Sequence, residues 1–152
     1  MEILEAKVED HIVLTQITRL SKAYWNYSDA QMKEWEAVLT ITKEYIAANK
    51  VYKLVKDDAI IAFYCLKQRT NTETELDYLF VLPEYIGKGY GKLLMDHLFS
   101  NIRNTKYESI IVEADPNAEE FYKKSGFVTE FKKESTVKGR YLPVMRTRIK
   151  GQ

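Results

Sequence analysis

The sequence predicts a single domain of the α/β or α+β class, and three observations lead there. β-rich runs and runs of helical period follow one another along the whole chain. Three glycines in six residues, Gly87-Lys88-Gly89-Tyr90-Gly91-Lys92, form a turn between a strand-like and a helix-like run. No internal repeat, low-complexity tract or Pro/Gly/Ser linker breaks the 152 residues, a length that buries one full core, so residues 1–152 are read as one domain.

Residues 2–8 read as the first strand, with Glu9-Asp10 opening a helix over 10–24 that carries Ile12, Leu14, Ile17 and Leu20. Ser28-Asp29 is an N-cap signal ahead of Met32, Trp35, Val38 and Leu39. A short helical stretch over 42–49 leads to strands at 51–56 and 59–67, joined by a turn at Asp57-Asp58. The next strand, 74–82, ends against Pro83, which cannot continue a central ladder. After the glycine turn, Leu94, Leu98 and Ile102, with Met95 alongside, mark one face of a helix reaching about Arg103. A strand at 108–113, a helix at 116–125 and strands near 127–134 and 140–148 close the chain. The 116–125 helix has its own local signals: Asp115 as N-cap, Pro116 in the first turn, Glu119 and Glu120 early, Lys123 and Lys124 late, and Gly126 at its end.

Glycines at a strand-to-helix junction let the backbone turn sharply and bring bare N–H groups close to a ligand. Those groups lie at the positive end of the helix macrodipole, so the expected ligand is an anion, with phosphate the leading candidate. A Walker A loop would need Gly at Ile86 and Ser or Thr at Leu93, and the dinucleotide fingerprint would need a third Gly at Lys92 or Leu94. Neither fits.

The stretch from Leu79 to Leu94 instead resembles the cofactor loop of the GCN5-related N-acetyltransferases (GNAT), Gln/Arg-x-x-Gly-x-Gly/Ala, with Gly89 and Gly91 as the motif glycines. Ile86 departs from the pattern, which removes a polar side chain there and keeps the backbone N–H. Downstream, Asp115 to Phe127 resembles the family's Asn-x-x-Ala-x-x-Phe-Tyr-x-x-x-Gly-Phe motif, loosely at Asn117-Ala118 and closely from Phe121. The two motifs, in order, cover about the second half of the chain. The resemblance implies a mixed, mostly antiparallel central sheet flanked by helices, which splays open near the glycine-loop strand to admit acetyl-CoA. It also implies transfer of an acetyl group from acetyl-CoA to an amine of a small molecule, peptide or protein by direct attack.

Site residues follow from that resemblance position by position. The amides of Ile86, Gly87, Lys88, Gly89, Tyr90, Gly91 and Lys92 are expected to hold the cofactor's pyrophosphate. The main chain of Leu79, Phe80 and Val81 is expected to bond its pantetheine arm. Tyr122 matches the family tyrosine proposed as general acid, a role open to a neutral phenol at neutral pH, and the resemblance also places it among the cofactor contacts; the alternative is a ring packed beside Phe121. Glu75 and Asp77 share a strand face by the period of two and are candidates to relay the amine proton, Glu75 first, with ordered water or a solvated strand end as the alternatives. Asn117 is either a pantetheine contact or a first-turn helix residue. Tyr24, Trp25 and Tyr27 form the chain's most aromatic cluster and are candidates to wall the acceptor, the alternative being core packing. Tyr141 is a lesser candidate of the same kind.

Composition excludes other classes. Charged residues are 30% and hydrophobic ones 45%, as in a globular protein, and a net charge of +1 provides no global field for nucleic acid or anionic lipid. Lys132, Lys133, Lys138, Arg140, Arg146 and Arg148 are balanced by Glu130 and Glu134 and read as a solvated sheet face. No apolar run has the length of a membrane span, and the N-terminal residues lack a signal-peptide pattern. The lone Cys65 sits in a strand-like apolar run and reads as buried, which favours a cytoplasmic protein without disulfides. His11 and His97 are too isolated to suggest a metal. A homodimer stays open. The competing function is a catalytically silent module that binds and senses acyl-CoA.

Overall fold

The computed structural model describes residues 1–149. Its strands are β1 (Glu2–Glu5), β2 (Lys50–Lys56), β3 (Ala59–Gln68), β4 (Glu73–Val81), β5 (Ser109–Glu113), β6 (Val128–Glu134) and β7 (Tyr141–Arg148). The α-helices are α1 (His11–Ala23), α2 (Asp29–Glu34), α3 (Lys43–Ala48), α4 (Tyr90–Ile102) and α5 (Glu119–Lys124). The strands form one mixed sheet in the order β1-β2-β3-β4-β5-β7-β6, in which β4 and β5 run parallel. The pairs β1–β2, β2–β3, β5–β7 and β6–β7 are antiparallel. Packing groups the described residues into two units, one of Met1–Leu66 with Tyr78–Leu94, the other of Lys67–Asp77 with residues 95–149.

In the first unit Leu14, Ile17, Ile41, Ile46, Val51, Phe63 and Cys65 pack as a core, against which Tyr78, Phe80 and Leu82 of the β4 segment lie. Cys65 is buried there, in line with its reading as a small hydrophobe. Helix α1 buries Leu14, Ile17, Thr18 and Ser21. Ile12 and Leu20 on the same helix are exposed. The stripe takes in two hydroxyl residues because each has a carbonyl to satisfy it: Thr18 Oγ1 donates to Leu14 O at 2.8 Å and Ser21 Oγ to Val81 O at 2.6 Å.

β1 ends at Glu5 and not at residue 8. Asp10 Oδ2 accepts the Lys7 N–H at 2.8 Å and draws the chain into a 3-10 turn over Val8–Asp10. Ser28 caps α2 as expected, accepting from Gln31 N at 3.1 Å, but the helix stops at Glu34. Trp35 and Leu39 are buried, while Val38 is exposed and its carbonyl accepts the Tyr78 hydroxyl at 2.7 Å. The β2–β3 hairpin turns on Asp57 and Asp58 at φ 51° and 63°. Both residues of such a two-residue turn need φ > 0, which Asp tolerates better than most.

In the second unit the parallel ladder registers Glu73 with Ser109, Thr74 with Ile110 and Glu75 with Ile111, and β4 and β5 continue past it. Arg146 on β7 fixes the start of β4, its Nε 2.6 Å from Glu73 Oε2, and also pairs with Glu130. The expected helix over 116–125 is a 3-10 turn, Pro116–Ala118, followed by α5. Gly126 leaves α5 at φ 100°, returning the Phe127 N–H to Tyr122 O at 3.0 Å. Leu94, Met95, Leu98 and Ile102 of α4 are all buried, as their spacing predicts.

Candidate active site

The glycine turn lies in the first unit. After β4 a 3-10 turn over Pro83–Tyr85 leads to Ile86 in extended backbone, and the chain then reverses through Gly87 at φ 81° and Gly89 at φ 87°. A Cβ at either glycine would meet no atom within 4 Å, so the turn needs glycine for its dihedrals and not for space. Gly89 O accepts the Leu93 N–H at 3.1 Å and so opens α4, which leaves the N–H groups of Tyr90 and Gly91 without an intrahelical acceptor. Gly91 sits in the first helical turn. The Tyr85 and Tyr90 rings meet edge to face at 5.7 Å and brace the turn. Lys88 Nζ stands 5.9 Å from the Tyr85 centroid. Lys56 lies within electrostatic reach of the same two tyrosines, its ammonium favoured first by Asp57. Open backbone donors at a helix N-terminus with cations beside them suit a diphosphate, so the donor set fits coenzyme A.

Leu79, Phe80 and Val81 precede this turn on β4. Phe80 packs its ring 6.2 Å from that of Phe63. The Val81 carbonyl is already engaged by Ser21, and the Leu82 N–H bonds Ile61 O at 2.9 Å. Ser21 therefore holds the end of the strand at the point where the glycine turn begins. Sequence reasoning missed it; the available signal was a hydroxyl continuing the stripe of Leu14, Ile17 and Thr18.

The aromatic cluster is not core. Tyr24 and Trp25 are 48% and 42% exposed and meet edge to face at 5.0 Å, which removes the core-packing alternative for both. Tyr27 turns instead onto Trp35, at 4.9 Å between centroids. Tyr141 is exposed as well.

The second unit holds Glu75, Asp77, Asn117 and Tyr122. Glu75 is half-buried, and this burial, followed by the charges of Asp77 and Glu113, raises its carboxyl above the usual 4.5. A carboxylate so placed takes up a proton more readily than a solvated one. Glu73, two residues earlier, is shifted the opposite way, chiefly by the Arg146 hydrogen bond. Tyr122 on α5 is 6% exposed, with the Phe121 and Phe127 rings edge to face at 5.2 Å and 5.5 Å. Burial first, and then the Asp115 charge, pushes its phenol well above the ordinary tyrosine range, so it stays protonated at neutral pH.

Asp115 organises the approach to α5. It accepts from Asn117 N and Asn117 Nδ2, both at 2.9 Å, and pairs with Arg140 Nη2 at 2.9 Å. Asn117 is an exposed first-turn residue whose side-chain Nδ2 bonds Asp115. Of the C-terminal cations, Arg140 pairs with Asp115, Arg146 with Glu73 and Glu130, and Lys133 with Glu113. Among the described residues no group of three His, Cys, Asp or Glu side chains is arranged to hold a metal, and no helix is long and apolar enough to cross a membrane.

Comparison with known proteins decides the family. The model of the acetyltransferase (GNAT) domain matches residues 24–149. The chain belongs to the GNAT acetyltransferase family. Over 126 residues this GNAT chain is 25% identical to the 5-NmdU N-acetyltransferase of Pseudomonas phage PaMx11, covering 82% of the chain and 85% of that relative. It is 27% identical over 92 residues to an uncharacterized N-acetyltransferase, ycf52, of Gracilaria tenuistipitata var. liui, covering 60% of the chain and spanning half of that relative's length. Among solved structures, the PaiA N-acetyltransferase of Thermoplasma acidophilum in complex with coenzyme A superposes with a TM-score of 0.78 at 23% identity, covering 97% of this chain and 98% of that one. The seven-stranded, mostly antiparallel sheet with flanking helices is thus the GNAT fold.

Proposed function

We propose that the protein transfers an acetyl group from acetyl-CoA to an amine of a small molecule, peptide or protein by direct attack. The observation that carries this reading is the glycine turn opening α4, with Gly87 and Gly89 in the left-handed region, in a chain of the GNAT family. When bound, acetyl-CoA supplies a thioester-activated acetyl group.

The chain's own residues meet the remaining demands. The backbone donors from Ile86 to Lys92 hold the pyrophosphate, and the main chain of Leu79 to Val81 orients the pantetheine arm. An alkyl ammonium near pKa ~10.4 must lose a proton before it can attack. Glu75, its carboxyl raised by burial, accepts that proton directly or through water. Tyr122, kept neutral by burial, holds a proton at its hydroxyl for the departing thiolate. Tyr24 and Trp25 offer exposed ring faces to the acceptor. The phage relative is named for 5-NmdU; the feature carried over from it here is an amine acceptor, not that particular one.

Tyr122→Phe tests the assignment. Removing the hydroxyl alone is expected to lower kcat by about a hundredfold or more while coenzyme A affinity is unchanged. An unchanged kcat would remove Tyr122 from the reaction.

A further inference from the structure

A cluster in the first unit, apart from the glycine turn, bears on which amines are accepted. Tyr27 and Trp35 meet at 78° with centroids 4.9 Å apart. Lys22 Nζ stands 5.5 Å from the Tyr27 centroid and 5.1 Å from that of Trp35. Both distances fall within the ~6 Å over which a ring face attracts a cation. Lys22 comes from the last turn of α1, Tyr27 from the connector and Trp35 from the end of α2, so the fold itself brings the three together. Trp35 is buried and fixes one wall; Lys22 and Tyr27 remain partly open to solvent.

We infer that Tyr27 and Trp35 form a subsite for an organic ammonium group, occupied in the free protein by Lys22, which takes the non-reacting cation of a diamine or polyamine acceptor. This rests on the acetyltransferase reading above. The attacking amine must be neutral, whereas aromatic faces favour the protonated form. The group in the cage is therefore not the one acetylated, and an acceptor that uses the cage carries at least two amines. The Lys22 side chain, a primary ammonium on a four-carbon stem, is the internal stand-in for such a ligand.

The test uses the full chain with Trp25→Phe, which leaves Trp35 as the sole indole of the two in the sequence. Its emission is titrated at constant ionic strength with tetramethylammonium and, as a neutral control of similar shape, neopentyl alcohol. In the Lys22→Met variant tetramethylammonium is expected to saturate at a concentration about fivefold or more below that needed with Lys22 present. Lys22→Arg, which keeps a cation in the cage, should behave as the parent does. Tyr27→Leu added to Lys22→Met should abolish saturation. A folded Lys22→Met protein with no saturable response, or with an equal response to the alcohol, overturns the subsite. Turnover supplies the second arm: kcat/KM for diaminobutane should exceed that for butylamine, and Tyr27→Leu should reduce the ratio about fivefold. Equal values for the two amines overturn the acceptor assignment. If Trp35 responds to the cation and no amine is acetylated, the subsite stands and the acetyltransferase reading falls.

Discussion

Replacing Gly89 by Ala separates the fold's need for this glycine from the ligand's. At φ 87° an L-residue is strained, and since the new Cβ would meet nothing within 4 Å, the cost is backbone strain alone. That strain is about 2 kcal/mol, which for a chain of this size lowers Tm by about 4–8 °C. Gly126→Ala is the matched control: φ is 100°, and the nearest atom to its Cβ, Thr147 Oγ1, lies at 3.8 Å, an ordinary contact. Both variants should therefore lose similar stability. They should part when coenzyme A is added. At a hundred times Kd a ligand stabilises by about 2.7 kcal/mol, and a tenfold weaker site at the same concentration by about 1.4. Thermal melts with and without coenzyme A should show the full ligand-induced rise for Gly126→Ala and about half of it for Gly89→Ala. A full rise in Gly89→Ala, or no loss of Tm without ligand, would refute the reasoning that this turn is held for the phosphate.

Three further outcomes are expected. Glu75 has a folded pKa raised above 4.5, so its contribution to stability is present below the unfolded value and is lost as pH rises through the folded one; Glu75→Gln should raise Tm at pH ~7, do so less at pH ~4, and lower turnover, as melts and a pH–rate profile would show. Arg146→Ala leaves the Glu73 carboxylate, at the edge of solvent, without its guanidinium and should cost about 1 kcal/mol by urea denaturation. With the Glu73 pKa lowered in the folded state, the stability lost should be present above about pH 4.5 and fade as acid protonates that carboxyl. Ser21→Ala removes the bond to Val81 O and should cost about 1 kcal/mol, with a weaker coenzyme A-induced rise in Tm if the end of β4 positions the turn.

What the sequence makes legible here is local or periodic. The face of Leu94, Met95, Leu98 and Ile102 follows from a spacing of four, the Ser28 and Asp115 caps from one residue type before a helix, and the glycine turn from its composition. What it hides depends on partners far away in sequence. In α1 the apolar Ile12 and Leu20 are exposed while Thr18 and Ser21 are buried, because carbonyls four and sixty residues away accept the two hydroxyls. The α2 region loses its last expected turn, where Val38 O is engaged by Tyr78 from β4. The bonds that Asn117 makes to Asp115, two residues earlier, depend on local backbone geometry that residue type alone does not specify. The meeting of Lys22, Tyr27 and Trp35 joins three segments, and no spacing rule encodes it.

The most direct test of the central claim is release of free thiol from acetyl-CoA in the presence of a panel of amines: polyamines, aminoglycosides, free amino acids, and peptides offering an α-amine or a lysine. Thiol release that needs both acetyl-CoA and one amine class, with the acetylated amine recovered in equal amount, is the predicted result. Saturable coenzyme A binding with no thiol released by any amine would contradict it and make the chain a silent acyl-CoA-binding module.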